Sequence, residues 1–98
     1  YVAPRNHVER RLASFWCEVI GIEQAGIEDN FFQRGGDSLM ATRVVSRIDA
    51  NFDIDMPIVS MFRRPTIVEL AREVHDLVLE KIKSLSEDEA SRLFESMS

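Results

Sequence analysis

The stretch DNFFQRGGDSL, residues 29–39, decides how this chain folds. It puts two phenylalanines, two glycines and an Asp-Ser pair into one short connector directly before an apolar-periodic segment. Gly35 and Gly36 free the backbone, whereas Asp and Ser are residues that open helices. From there Leu39, Met40, Val44, Val45 and Ile48 recur at helical spacing, which predicts a helix that begins at the serine and ends near Asn51, before the extended "FDIDMP". Phe31 and Phe32, with Ile22 and Ile27, supply enough apolar surface to hold the long link from Gly21 to Gly36 against a core as an anchored loop.

Working outward, Val8, Leu12, Phe15, Trp16, Val19 and Ile20 form an apolar face, with Asn6 and Glu9 as a capping-box start and Gly21 as the stop. On the other side "PIVSMFRR" has room for one or two turns. "PTIVELAREVHDLVLEKIK" then opens with Thr66 and Glu69 in a second capping-box arrangement and carries the stripe Ile67, Leu70, Ala71, Val74, Leu77, Val78 and Ile82. No alternating strand pattern of useful length competes. The expectation is an all-α antiparallel bundle of three main helices plus a short third helix, with one long loop between helices one and two.

Composition limits what such a bundle can do. The 98 residues make one small domain, too short for a large α/β enzyme. With 12 Lys+Arg against 17 Asp+Glu, a net charge of -5 and no basic cluster beyond Arg10-Arg11 and Arg63-Arg64, binding to a nucleic-acid backbone is not expected. No apolar run approaches a membrane span and the first residues lack the order of a signal peptide, so the expected setting is soluble and cytoplasmic. The single cysteine, Cys17, permits neither an internal disulfide nor a cysteine-rich metal site, and no metal is expected. The missing initial Met suggests a piece of something longer.

Ser38 is the residue with chemistry to explain. The string Gly36-Asp37-Ser38-Leu39 is also the signature of a family of serine esterases, whose nucleophile follows a strand and whose base lies in a downstream Asp-x-x-His pair. Here the serine opens a helix, no Asp-x-x-His occurs, and the two histidines, His7 and His75, sit in or beside other helices. A helix N-terminus instead favours a phosphate, because its first backbone N-H groups are unpaired and carry partial positive charge. A phosphate ester on Ser38 would sit well there, with Gly35 and Gly36 removing bulk so that another protein can approach the hydroxyl. Nothing in the chain would activate that hydroxyl, so a separate enzyme must do the chemistry.

These residues closely resemble the phosphopantetheine attachment motif of peptidyl carrier (thiolation) domains in nonribosomal peptide synthetases. The likeness extends to "YVAPRNHVERRLASFWCEVIGIEQAGIEDNFF" and to "MFRRPTIVELA", and covers about residues 1 to 80. The resemblance implies a four-helix acyl-carrier-like bundle, non-catalytic in itself. It implies 4'-phosphopantetheine on Ser38, with Gly36, Asp37 and Leu39 around the attachment point, Asp37 both as N-cap and in transferase recognition. A phosphopantetheinyl transferase would install the arm from coenzyme A with its own magnesium. The arm's thiol would hold aminoacyl, peptidyl or acyl cargo as a thioester for adenylation, condensation or other synthetase domains, a tether that raises effective concentration. Acyl carriers of the fatty-acid or polyketide type are a second resemblance; they typically show a strongly acidic second helix, whereas here it carries Arg43 and Arg47 against Asp49. A helical interaction module whose serine is only a cap is the alternative outside the family.

For partner contact the resemblance points to Leu39, Met40, Met61 and Phe62. Apolar residues at helical spacing are usually buried, so Met40 and Phe62, like Phe31 and Phe32, are expected as core or loop anchors, with Leu39 and Met61 evenly placed between core and contact. Trp16 and Cys17 read as structural, His75 as a partly exposed helix residue and Arg63-Arg64 as a solvated pair. The division is a carrier domain at 1–84 and an acidic tail at 85–98, where Glu87, Asp88, Glu89 and Glu95 face only Arg92. Ser86 and Glu89 make another helix-start signature, but about 12 residues is marginal for a free helix, so the tail is expected to fray alone. "LSEDEASRLFESM" resembles the short acidic-hydrophobic motifs that dock onto a β-hairpin docking domain of the next subunit, with Leu85, Leu93 and Phe94 as anchors and the acidic groups steering encounter. A fifth helix or an inert linker is the other reading of the tail. As an isolated domain the chain is expected to be a monomer.

Overall fold

Gly21 ends the first helix where the sequence places the break, in the left-handed conformation (φ 82°) with its N-H donating to the Cys17 carbonyl. In this computed structural model the backbone of residues 1–97 is described, together with all side chains except those of 85–88, 90 and 93–97. The elements are α1 (His7–Ile20), α2 (Ser38–Phe52), a five-residue α3 (Val59–Arg63) and α4 (Ile67–Met97). Among the described residues the only β pairing is one isolated bridge, Asn30 with Thr66. The architecture is therefore the all-α bundle with a long first loop that the sequence leads one to expect.

Helix α1 packs against both α2 and α4. Leu12 and Trp16 from α1, Val44 and Ile48 from α2, Met61 from α3 and Ile67, Leu70 and Val74 from α4 are fully buried in one cluster. Each such aliphatic side chain contributes on the order of 1.5–3 kcal/mol through removal from water, which outweighs the mild helix reluctance of the β-branched residues in α2.

Two helix boundaries differ from the expected pattern. Asn6 does cap α1, accepting from the Glu9 N-H at 2.9 Å, but the Glu9 carboxylate does not return to Asn6. It accepts instead from the Arg5 backbone N-H (2.9 Å) and from the Arg5 guanidinium (3.1 and 2.7 Å). Glu9 is nearly sealed from solvent, and a buried carboxylate takes a charged partner in preference to a neutral amide. At the end of α2, Asn51 is still helical and the cap is Asp53, left-handed at φ 55°, one or two residues beyond the expected stop.

The larger correction concerns the C-terminal part. The expected break before Ser86 is absent, and α4 runs 31 residues without interruption to Met97. No glycine or proline follows Pro65, and a helix already nucleated by its buried half needs no new nucleus to propagate. Its cover fades on the way: Val74 is buried, Leu77 and Val78 are half-buried, and Ile82, expected in the packed stripe, is 52% exposed. Among the described residues no helix is long and apolar enough to cross a membrane.

Candidate functional site

Ser38 is the first residue of α2 and is exposed. Asp37 precedes it in extended conformation and its carboxylate accepts from the Met40 N-H at 2.9 Å, while its carbonyl accepts from the Ala41 N-H. That leaves the N-H groups of Ser38 and Leu39 outside the helical ladder, at the positive end of a 15-residue helix. Leu39 is 63% exposed beside them.

What fixes this end of α2 is the loop beneath it. Asn30 accepts through its side chain from the N-H groups of Phe32 (2.9 Å) and Gln33 (3.2 Å), Phe31 N-H donates to the Pro65 carbonyl, and Gly36 N-H donates back to Phe31. The Phe31 ring is fully buried and meets Trp16 edge-on at 5.1 Å. A Cβ on Gly36 would fall 2.2 Å from that ring. Gly36 is thus required from the inside, to let the backbone lie on Phe31; the expectation that it clears space for an approaching protein is secondary to this contact. Gly35 supplies the other need, a left-handed turn at φ 107°.

The aromatic contacts continue outward. Phe31 meets Phe32 edge-on at 5.3 Å, and Phe32 stacks on Phe62 of α3 at 5.1 Å and 18°. Phe62 is not the core anchor that helical spacing predicts. It is 48% exposed, because a helix of only five residues turns Ser60 and Met61 inward and leaves its neighbours outside. Met61, a candidate for partner contact, is fully buried and belongs to the core. Met40 is half-buried, as an anchor should be. Ile58 and Val59, 42% and 41% exposed, join Leu39 and Phe62 as large apolar groups in water and were missed in the sequence. The signal was present: Pro57 starts α3 so late that only one turn of "IVSMF" can face inward. The candidate docking residues Leu85, Leu93 and Phe94 have side chains outside the described residues.

Among the described residues nothing beside Ser38 is placed to activate its hydroxyl. Asp37 is engaged as the N-cap, and His7 and His75 line a separate groove between the start of α1 and the α4 segment around Arg72. Among the described residues no cluster of His, Cys, Asp and Glu is arranged to hold a metal ion. Cys17 is half-buried, and burial pushes its thiol up from the ordinary value.

The comparisons with known proteins bear on the fold that carries this exposed serine. The family described as phosphopantetheine attachment site matches residues 10–74. This chain belongs to that family. It is 55% identical over 71 residues, 72% of its length, to one of the subunits of linear gramicidin synthase from Brevibacillus parabrevis, of which it spans 1%. Among solved structures, a peptidyl carrier protein in complex with the phosphopantetheine transferase Sfp and coenzyme A superposes with TM-score 0.76 at 42% identity, covering 78% of this chain and 99% of that one. An extended docking domain complex of the Pax synthetase, PaxA T1-CDD with PaxB NDD, superposes with TM-score 0.81 at 33% identity, over 100% of this chain and 91% of that one. The chain is a peptidyl carrier domain, of the non-catalytic class that carries 4'-phosphopantetheine.

Proposed function

We propose that the Ser38 hydroxyl is the attachment point of the 4'-phosphopantetheine arm, and that the domain presents aminoacyl, peptidyl or acyl thioesters to the active sites of a modular synthetase. The observation that carries this reading is the exposed Ser38 at the first position of α2, within the matched residues 10–74. When bound, the arm supplies a thiol for thioester chemistry. This chain's own residues do three things. The α2 N-terminus, through the Ser38 and Leu39 amides, favours the anionic phosphodiester. Phe31, filling the space under Gly36, holds the hydroxyl in one place. Leu39, Ile58, Val59 and Phe62 offer an exposed apolar surface for a phosphopantetheinyl transferase and for adenylation or condensation domains, as supported by the likeness to a carrier solved with the transferase Sfp. We propose a cytoplasmic setting, supported by the likeness to synthetase subunits of bacteria.

The test is intact mass before and after incubation with a broad-specificity transferase, coenzyme A and magnesium, beside Ser38→Ala. One phosphopantetheine addition, absent in the variant, is expected. Addition to the variant would move the attachment elsewhere, and no addition to folded protein would reduce Ser38 to a cap.

A second reading concerns the C-terminal segment, divided from the carrier near residue 84. We propose that residues 85–97 dock a β-hairpin domain of a downstream subunit. Its support is that the carrier solved with Sfp covers 78% of this chain whereas the Pax docking complex covers all of it.

A further inference from the structure

The short helix α3 carries two of the exposed apolar groups, Val59 and Phe62, with a third, Ile58, at its N-cap. It has little of its own to stand on, being five residues long with no side chain capping its start. Ser60 and Met61 bury it in the core at one point, which does not set the direction in which Phe62 faces. That direction is set at the far end. Phe62 stacks on Phe32 of the loop ahead of Ser38, and two residues on the Arg64 guanidinium donates to the Glu73 carboxylate of α4 at 2.9 Å. Between them and α4 the Pro65 carbonyl accepts from the Phe31 N-H at 2.7 Å, so the chain from Phe62 to Pro65 is tied to the loop and to α4 at once.

The ion pair is not an ordinary surface pair. Glu73 lies beside Val74 and one turn from Leu70, both fully buried, and only 20% of its own side chain is exposed. Its Oε2 is buried with no hydrogen-bond partner among the described residues. Removing the partner of a largely buried charge costs far more than opening an exposed pair, so this contact holds its geometry where a surface pair would drift.

We infer that Arg64 and Glu73 are positioning residues for arm addition: their pair turns α3 so that Phe62 stays stacked on Phe32, and thereby holds the exposed apolar groups of α3 in place relative to Ser38. The inference rests on the attachment reading above and deepens it by naming what aligns the recognition surface with the hydroxyl. Neither residue needs to touch the transferase. The pair acts through Phe62, so its loss weakens binding of the carrier and leaves the chemical step alone.

The experiment combines two readouts on the full-length chain. One is the aromatic NMR signals of Phe32 and Phe62; the other is steady-state arm addition by a broad-specificity phosphopantetheinyl transferase with coenzyme A and magnesium, the carrier being the varied substrate. Arg64→Ala should shift both sets of ring signals and raise KM about fivefold or more, with kcat changed by less than about twofold. Arg64→Lys should restore both readouts, since the bond is one N-H to one oxygen and needs no guanidinium fork. Phe62→Ala should raise KM alike, and Arg64→Ala added to it should cost nothing further. Arg64 is half exposed, and unchanged helicity by circular dichroism separates lost alignment from lost fold. Ring signals and KM that keep their wild-type values in Arg64→Ala would overturn the inference and leave attachment at Ser38 standing, as would a lysine variant no better than alanine. Losses that add in the double variant would overturn it by making Arg64 a direct contact. A wild-type chain that takes up no arm would remove the attachment reading and this extension together.

Discussion

The loop ahead of Ser38 and the far half of α4 solve opposite problems with similar residues. In the loop, Phe31 is sealed between Trp16 and the Gly36 backbone, and its turns are tied by hydrogen bonds to Asn30 and Pro65. Just beyond Val78 the helix keeps its own backbone ladder, but Leu79 and Ile82 stand in water. The first arrangement fixes the hydroxyl that we propose as the attachment point. The second leaves apolar surface uncovered next to the segment that we propose for docking. The two proposed sites thus fall in regions of opposite packing.

The sharpest way to break this contrast is Phe31→Ala. Removing a fully buried ring from the join of α1 and the loop should cost about 3–5 kcal/mol, read from chemical denaturation. A loss under about 1 kcal/mol would show that the loop floats and that the serine is not positioned from beneath. Gly36→Ala comes next. Its new methyl overlaps the Phe31 ring, and overpacking of this kind costs about 1–3 kcal/mol. The variant should also receive the arm more slowly, because α2 must shift to make room. Equal rate and stability would mean that Gly36 serves only external access.

The Arg5–Glu9 pair at the start of α1 predicts a pH effect. Arg5 hydrogen bonds hold the Glu9 carboxyl below the usual carboxylate range, against burial that pushes it up. A folded value below the unfolded one gives stability that is present above about pH 4.3 and is lost as the pH falls through the lowered value. Arg5→Ala removes the guanidinium, the largest lowering contribution, and leaves only the backbone N-H of residue 5 against burial, so its acid unfolding midpoint should move to higher pH. Thermal melts between about pH 3 and 7 measure this, and superimposable profiles for the two proteins would show that the pair does not contribute.

These cases also show what could be read in advance. Helix starts and stops follow from local chemistry, so Asn6, Gly21, Asp37 and Thr66 are legible one residue at a time. Ser38 is legible for the same reason, since a helix opening is a local event. Phe62 is not, because whether a side chain in a one-turn helix faces in or out depends on where α3 lands, and spacing carries no information over five residues. The capping pattern misassigns Glu9 because the competing partner, Arg5, lies outside that pattern. The continuity of α4 is hidden for a different reason. As an isolated peptide the sequence after Ser84 is a marginal helix, but in the chain it inherits a nucleus from residues 67–78.

The smallest expected effect tests that inheritance. Ser84→Pro removes one backbone donor and sets the proline ring against the carbonyl of residue 80, enough to break or kink a helix interior. Because Ser84 lies beyond Leu77 and Val78, the last half-buried apolar groups among the described residues, and beyond the Lys81–Asp53 pair, the bundle's stability to denaturant should change by no more than about 0.5 kcal/mol. Far-ultraviolet circular dichroism should nonetheless lose part of its helical signal, as the segment after the proline must nucleate for itself. Arm addition at Ser38 should proceed at the normal rate, the two regions sharing no contact that the proline disturbs. A substantially lower stability would mean that the far half of α4 stabilises the carrier directly, and the contrast between a packed loop ahead of Ser38 and an uncovered stretch of α4 after Val78 would then fail.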